Sequence, residues 1–312
     1  MRRTPATRVR QKGVALITAM IILALATIVA ADLAWDNALD VRRTTMLLYR
    51  DQAIQVALGA ENWIASILRQ DLEDSQTDHL GEIWATELPP LPIDGGEVFG
   101  VIEDLSGRFN VNTLIDSNGD VDEDKLEQFR RLLASLDLDP RFAGVAADWL
   151  DGNAEAGFPD GAEDGIYTGM APPYRAANQL LTSTSELAAI EGMDKITFDT
   201  LAPHVTALPG ETRINVNTAT PFVLQSLGES ITSGDVEGLL AEREDGGFPD
   251  YQVAFENLVT PEVLNDQLSG QPNYFQLKVV VRIDTVRVTL YSVLQRGAQG
   301  NVSTILRSLG TA

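Results

Sequence analysis

The most apolar part of the chain lies near its start. Residues 14–31 carry no charged side chain, and eighteen helical residues at about 1.5 Å each span roughly 27 Å, enough for the core of a bilayer. Residues 32–71 continue without proline and place apolar side chains mostly at three- and four-residue steps. This spacing is typical of an amphipathic helix. The pattern therefore predicts one helix over residues 14–71, which crosses a membrane in its first part.

The remainder of the chain mixes strand and helix patterns. Prolines and glycines within residues 89–96 predict a linker, and residues 97–104 then form a predicted strand. Apolar side chains alternate from residue 274 to residue 296 around Asp284 and Thr285, which predicts an antiparallel hairpin. Helices are predicted between these strands at residues 123–136, 184–190 and 220–227.

A six-residue motif occurs twice. Residues 108–113 (RFNVNT) and 213–218 (RINVNT) are identical at five positions. Each copy predicts a strand that leads into a helix, which an Asn or Thr side chain can cap. The second copy, and the segment 186–203, also resemble helix-hairpin-helix units, which bind DNA phosphates through backbone amides. The turn of that segment offers one lysine, Lys195, in a strongly acidic chain, so we predict packing units and no binding to nucleic acid.

Charge is distributed unevenly along the chain. There are 45 acidic and 23 basic residues, which gives a net charge of −22. Five basic residues and no acidic residue fall within residues 1–13, so the rest carries −27. Basic residues before an apolar span predict a cytoplasmic N-terminus and a body on the other side of the membrane. The chain has no cysteine, which excludes thiol catalysis and zinc–thiolate sites, and no catalytic motif is recognisable, so we predict a protein that is not an enzyme.

The start of the apolar segment carries a family resemblance. Lys12 and Gly13, followed by the apolar residues from Val14, resemble the leader junction of type IV pilins and pseudopilins. The resemblance implies that a prepilin peptidase cleaves between Gly13 and Val14, that the new N-terminus is methylated, and that the apolar helix is kept as anchor. Most members have glutamate at the fifth mature position, where this chain has Thr18. Its absence is typical of the K-type minor pseudopilins of type II secretion systems.

The K-type resemblance extends over most of the chain and includes its most distinctive block, residues 147–179. It implies an α+β, pilin-like fold with a long N-terminal transmembrane and amphipathic helix, a small antiparallel sheet and a large all-helical insert with helix-hairpin-helix-like units. The predicted division is a leader (1–13), a transmembrane segment (14–31), the continued helix (32–71), a linker with the first strands of the head (72–112), the helical insert (113–212) and the rest of the head with the C-terminal hairpin (213–312).

The resemblance also implies a role and partners. It predicts a minor pseudopilin in the inner membrane, with its bulk in the periplasm, at the tip of the type II secretion pseudopilus. There it would help to initiate or cap assembly, and thereby support protein secretion across the outer membrane. Its predicted partners are the other minor pseudopilins, the major pseudopilin and the prepilin peptidase. Two alternatives stay open: a minor pilin of a type IV pilus or DNA-uptake system, and a membrane-anchored periplasmic binding protein.

Oxygen-bearing side chains are concentrated in the distinctive block, in a loop broken by glycines. Calcium accepts six to eight oxygen ligands in flexible geometry, which such a loop can supply. K-type pseudopilins bind calcium in the insert, so the resemblance implies a structural calcium site here; the alternative is a solvated acidic loop. The predicted ligands are Asp148, Asp151, Asn153, Asp160, Glu163 and Asp164.

A second acidic segment, residues 116–127, follows the ligand spacing of an EF-hand calcium loop at most positions. It has Val121 where the EF-hand needs a glycine for its sharp turn. A turn before a helix is the preferred interpretation of this segment.

Overall fold

The computed structural model describes residues 14–75, 77–86, 89–243 and 246–310. The predicted leader, with Gly13 on one side of the predicted cleavage site, lies outside these residues. The described helices are α1 (Val14–Asp74), α2 (Glu123–Ser135), α3 (Phe142–Leu150), α4 (Asp164–Tyr167), α5 (Lys195–Leu201), α6 (Pro221–Ser226), α7 (Ser233–Arg243) and α8 (Tyr251–Phe255). The described strands are β1 (Leu91–Ile93), β2 (Gly96–Asp104), β3 (Phe109–Asn110), β4 (Val205–Thr206), β5 (Ile214–Asn215), β6 (Leu268–Ser269), β7 (Tyr274–Ile283), β8 (Val286–Arg296) and β9 (Val302–Leu309). Shorter turns are 3₁₀-helical at Val111–Leu114, Thr184–Ala189 and Ala202–His204, and π-helical at Val263–Gln267.

Helix α1 is continuous, as its sequence predicts. Its 61 residues correspond to about 90 Å of helix. The first part is exposed, and the buried positions begin at Ala53 and recur toward Leu68 at three- and four-residue steps. That stripe packs against the sheet, so α1 is exposed and apolar over residues 14–31 and becomes a core helix in its second half.

The main sheet has the strand order β1-β2-β7-β8-β9, and all neighbours are antiparallel. The predicted C-terminal hairpin is confirmed as β7 and β8, and its turn residue Asp284 has a positive φ of 52°. Alternate residues of β7 and β8, among them Val281 and Leu290, are buried against α1. The pilin-like α+β expectation for this part of the chain is confirmed.

A helical body occupies the chain between β2 and β7. It is built around one apolar core and also contains two short parallel ladders, β3 with β4 and β5 with β6. The predicted boundary of the insert at residue 212 differs from this packing. Val216 and Val223 lie in the same buried core as Phe109 and Phe129, so residues 214–268 belong with the helical body and not with the sheet.

The repeated motif lies at the start of each half of this body. Each copy provides the first strand of a parallel ladder, β3 or β5, as the strand expectation predicted. Asn110 donates from Nδ2 to the carbonyls of Leu208 and Gly210, at 3.2 Å each. Asn215 donates from Nδ2 to the Asp104 carboxylate at 2.8 Å. Both asparagines are buried, so each copy of the motif ties its strand to a segment that is distant in the sequence.

Candidate functional site

The acidic loop after α3 folds back on the end of that helix. Asp148 lies on the last turn of α3 and is 3% exposed. Its Oδ2 accepts a hydrogen bond from the backbone N–H of Gly157 at 2.9 Å. A Cβ at Gly161 would lie 2.1 Å from the same oxygen, so only glycine allows this close approach. The loop therefore surrounds the carboxylate of Asp148 at the end of α3.

Three of the predicted ligands are buried in this region. Asp151 and Glu163 are 4% and 5% exposed, close to the value for Asp148. Neither oxygen of Glu163 has a hydrogen-bond partner, and no basic side chain pairs with any of the three acids among the described residues. A buried carboxylate without a partner is costly, and calcium coordination would supply both charge and bonds.

The electrostatics of these three acids agree with their burial. Burial first, and then the charges of Asp148 and Asp151, raise the pKa of Glu163. Burial also raises the pKa of Asp148 against two backbone hydrogen bonds. For Asp151, burial is again the main cause of a raised pKa, and Asp148 adds to it. The fold holds negative charges together that repel one another without a cation.

The other predicted ligands lie on the outer part of the loop. Asn153 is exposed and donates from Nδ2 to Asp151 at 2.7 Å. Asp160 is half-buried, and Asp164 accepts a hydrogen bond from the backbone N–H of Ala176 at 3.1 Å. The structure therefore groups Asp148, Asp151 and Glu163 as the inner acids, and gives Asn153, Asp160 and Asp164 outer positions.

Sequence reasoning missed Asn178. Its Oδ1 is buried without a hydrogen-bond partner, while its backbone N–H donates to the carbonyl of Trp149 at 3.0 Å and its Nδ2 donates to the carbonyl of Asn153. An unpartnered amide oxygen beside the acidic loop is a suitable calcium ligand. Asn178 lies within the distinctive block, and attention to amide oxygens as well as acids would have found it.

A tighter acidic cluster lies elsewhere. Ligand atoms of Asp71, Asp78 and Glu82 lie within 4.8 Å of one another, closer than the three inner acids converge. Arg296 already pairs with two members of this cluster, with Nη2–carboxylate distances of 2.6 and 2.7 Å to Asp78 and an Nη1 contact of 3.2 Å to Asp71. Oxygens bound to one calcium ion lie no more than about 5 Å apart, so spacing alone favours the cluster of Asp71, Asp78 and Glu82. The inner acids differ from it in having no basic partner among the described residues.

The EF-hand-like segment forms a turn before a helix. Asp116 accepts hydrogen bonds from the backbone N–H groups of Asn118 and Asp120, and Asp122 caps α2 through Asp124 and Lys125. These carboxylates serve the backbone of their own turn. The preferred interpretation of this segment agrees with the structure.

The helix-hairpin-helix-like turn holds its lysine in an ion pair. Gly192 takes a positive φ of 77° between the 3₁₀ turn and α5. Lys195 Nζ lies 2.6 Å from the Asp199 carboxylate. Leu187, Ile190 and Leu201 of this segment are buried in the core of the helical body, which fits the expectation that it serves packing.

The first part of α1 is the other candidate functional element. It is long and apolar enough to cross a membrane, and none of its most apolar eighteen-residue window is buried. The Thr18 hydroxyl lies 3.0 Å from the carbonyl oxygens of Val14 and Ala15, so it bonds within its own helix. The helix is consistent with a membrane anchor.

Known proteins resemble the chain throughout. Family models described as type II secretion system (T2SS), protein K, match residues 107–210 and 214–271. The type II secretion system protein K of Pseudomonas aeruginosa is 37% identical, over 96% of this chain and 93% of that protein. The protein of the same name from Aeromonas hydrophila is 29% identical, over 97% of this chain and 98% of that protein.

A solved structure has the same fold. It is a chain of the GspK-GspI-GspJ complex from the enterotoxigenic Escherichia coli type 2 secretion system, with a TM-score of 0.76 and 25% sequence identity. The match covers 86% of this chain and all of that one. The first family model ends at residue 210 and the second begins at residue 214, the second residue of the second motif copy.

Proposed function

This chain belongs to the type II secretion system protein K family, and from that premise we propose that it is the minor pseudopilin at the tip of a pseudopilus. It is a structural subunit and not an enzyme. The observation that carries the proposal is the division of α1. One face of residues 53–68 is buried beneath the sheet, whereas residues 14–38 are exposed and uncovered by any described part of the chain.

The exposed half of α1 supports anchoring and assembly together. Before assembly it spans the inner membrane, with the N-terminus in the cytoplasm and the head in the periplasm. Within a pseudopilus, the same apolar side chains pack against the helices of other subunits. The solved relative forms a complex with GspI and GspJ, so the partners proposed for this chain are the corresponding minor pseudopilins, followed by the major pseudopilin.

Two features support the tip position. Thr18 has no carboxylate to pair with the amine of a neighbouring subunit, and its hydroxyl group bonds within its own helix. The helical body adds most of residues 105–272 to a pilin-like head, a bulk that would obstruct a subunit stacking above it. A subunit with both features suits the first position in a filament.

The inner acids support a structural calcium ion. Asp148, Asp151 and Glu163 supply carboxylate oxygens, and Asn178 supplies an amide oxygen. Calcium bound there would neutralise the repulsion among the acids and fix the loop between α3 and α4. The more exposed Asn153, Asp160 and Asp164 are further oxygen donors on the same loop.

Localisation on native filaments tests the tip assignment. Pseudopili from the native host, carrying an epitope on this chain, are labelled with gold and viewed by electron microscopy. Label at one filament end, together with loss of secretion when the gene is deleted, is the expected result. Label distributed along the shaft would overturn the tip position. Co-purification with type IV pilins in place of minor pseudopilins would favour the minor-pilin alternative.

A further inference from the structure

The five-stranded sheet has two faces, and α1 packs against the one that carries Val281 and Leu290. Because side chains alternate between the faces of a strand, every second residue of β2, β7 and β8 points to the opposite face. The helical body reaches that face at Tyr274 and Val293, where Leu208 packs. The remainder of it, which we call the outer sheet face, carries Phe99, Lys278, Val280, Arg282, Arg287 and Tyr291.

Positive charge is concentrated on this face in an otherwise acidic molecule. The helical body, residues 105–272, has 29 acidic and nine basic residues and so a net charge of −20. The segments of the sheet, residues 89–104 and 273–310, have five of each and are neutral. Three of those five basic residues, Lys278, Arg282 and Arg287, lie exposed on the outer sheet face. At physiological ionic strength charges are screened over about 8 Å, so this face acts on a ligand mainly by its own charge.

Two of these cations pair with no carboxylate in the described part of the chain. Arg282 pairs with Glu97 at 2.9 Å, whereas Lys278 and Arg287 have no such partner. Arg287 also lies directly opposite Arg282 in the ladder between β7 and β8. Like charges that lie opposite each other across a ladder are destabilising. A carboxylate between the two arginines would relieve this repulsion.

Aromatic rings hold two of the cations in place. Lys278 Nζ lies 5.6 Å from the centre of the Tyr291 ring, and Arg282 Cζ lies 5.2 Å from the centre of the Phe99 ring. Such cation–π contacts restrict long side chains, so that binding a ligand costs less conformational entropy. Phe99 is also the partner of Val280 in the ladder between β2 and β7, midway between the two cations. The face therefore presents ordered positive charges with apolar side chains between them.

We propose that the outer sheet face binds an extended segment of a partner protein that has two carboxylates four residues apart and an apolar side chain midway between them. Lys278 and Arg282 are four residues apart on β7, which corresponds to about 14 Å of strand. Residues four apart on an extended partner have the same separation and point to the same side. One carboxylate then meets Lys278, the other lies between Arg282 and Arg287, and the apolar side chain meets Phe99.

The favoured ligand is a narrow protein segment and not a large polyanion. A bilayer with anionic lipids, or a nucleic acid, would extend past the sheet and meet the helical body with its net charge of −20. A single extended strand contacts the outer sheet face alone. The inference does not depend on the position of the chain in a pseudopilus.

Fluorescence anisotropy with two peptides that differ only in spacing tests the proposal. The full chain in detergent micelles is titrated against fluorescein-labelled Glu-Thr-Val-Thr-Glu amide and its isomer Glu-Glu-Val-Thr-Thr amide. We expect saturable binding of the first peptide, about tenfold tighter than that of the isomer. A photo-crosslinking version of the first peptide should label β7 or β8. Absence of saturable binding, equal affinity for the two isomers, crosslinks to the basic residues 1–13, or preferred binding of anionic lipid vesicles or DNA would overturn the proposal.

Matched variants separate the outer sheet face from the charge of the whole chain. Lys278→Gln with Arg287→Gln removes two cations from the face, and Lys195→Gln with Arg213→Gln removes two exposed cations from the helical body. The first pair should weaken peptide binding about tenfold and the second by less than about twofold. Equal weakening by both pairs would refute the site. Without peptide, Arg287→Gln should raise the unfolding temperature because it removes the repulsion from Arg282; a lower unfolding temperature would show that the chain itself uses Arg287 and would contradict the inference.

Discussion

Glu61 joins α1 to the far edge of the sheet through its carboxylate. It is 2% exposed and accepts hydrogen bonds from Thr304 Oγ1 at 2.9 Å, Arg307 Nη2 at 2.7 Å and Ser292 Oγ. Burial opposes ionisation, but the hydrogen bonds from Arg307, Ser292 and Thr304 together outweigh it and lower the pKa of Glu61. A single side chain thus holds the helix to both β8 and β9.

Replacing Glu61 should therefore weaken the head. Glu61→Ala leaves the hydroxyl groups of Ser292 and Thr304 without their acceptor, and we expect a loss of about 2–3 kcal/mol in the free energy of unfolding. Denaturant titration of the full chain in detergent measures it. Glu73→Ala, an exposed glutamate on the same helix, is the matched control and should change stability by less than about 0.5 kcal/mol. Equal effects of the two variants would contradict the assigned role.

Asp104 gives the fold a pH dependence of defined sign. Its carboxylate is buried, and burial raises its pKa to about 6 even though Asn215, Thr218 and Ser106 donate hydrogen bonds to it. The folded chain therefore binds this proton more tightly than the unfolded chain, whose pKa is near 3.8. The stabilising contribution is complete below the unfolded pKa and is lost as the pH rises through about 6.

Comparison with Asp104→Asn isolates that contribution. Between pH 7 and pH 4.5, the unfolding free energy of the native chain should gain about 2 kcal/mol relative to the variant. Parallel pH profiles for the two proteins would show that Asp104 has no raised pKa. The inner acids titrate in both proteins, so their contribution cancels in the difference.

At the scale of elements, the loop between α3 and α4 is the predicted calcium site. The order of the unfolding temperatures of the native chain and of Glu163→Gln should therefore reverse between EDTA and calcium. In the native chain with EDTA, Glu163 is a buried carboxylate beside Asp148 and Asp151, and calcium should raise the unfolding temperature. Glu163→Gln removes the repulsion, so in EDTA it should unfold at a higher temperature than the native chain. In calcium it should unfold at a lower temperature, because a ligand is missing.

Calorimetry in EDTA and in calcium checks this crossover. Glu155→Gln, an exposed residue on the same loop, is the control and should follow the native chain in both buffers. An unfolding temperature of the native chain that does not change with calcium would refute the metal site. The solvated acidic loop would then be the correct interpretation.

Two glycines show how backbone conformation decides the effect of the same substitution. Gly59 lies in α1 and Gly119 lies in the turn before α2, and a Cβ at either position would meet nothing within 4 Å. Gly59 is helical, whereas Gly119 has a φ of 90°. Gly59→Ala should stabilise the chain by about 1 kcal/mol and Gly119→Ala should destabilise it by a similar amount. Thermal unfolding of both variants measures the difference, and shifts of the same sign would contradict this account.

At the scale of the whole molecule, strong periodic patterns gave correct predictions. Helix α1 and the hairpin of β7 and β8 are long and regular, so their periodicity determined them. Strand β9 was missed because it lies at an edge of the sheet and its exposed positions do not alternate. Strand β1 was interpreted as linker because it contains Pro92, which an edge strand tolerates.

The remaining differences between prediction and structure involve residues that are distant in the sequence and meet only in the fold. The predicted boundary at residue 212 differs from the packing because the motif shows only that a strand forms there, whereas the partner of that strand, β5, is the distant Leu268. Composition alone identified the acidic loop, but only the folded path shows which acids it encloses. Glu163 follows Asp148 by fifteen positions, and Asn178 by thirty, so no local pattern joins them.

The mature N-terminus is the whole-molecule test of membrane processing. Cleavage between Gly13 and Val14 would remove five basic residues and no acidic one, leaving an apolar helix start and a chain of net charge −27. Intact-mass measurement and N-terminal peptide mapping on protein from the native membrane should find Val14 first, with one added methyl group. A matched variant, Gly13→Leu, should keep the leader and fail to support secretion. A native chain that starts at Met1 would refute prepilin-type processing and favour the membrane-anchored periplasmic binding protein.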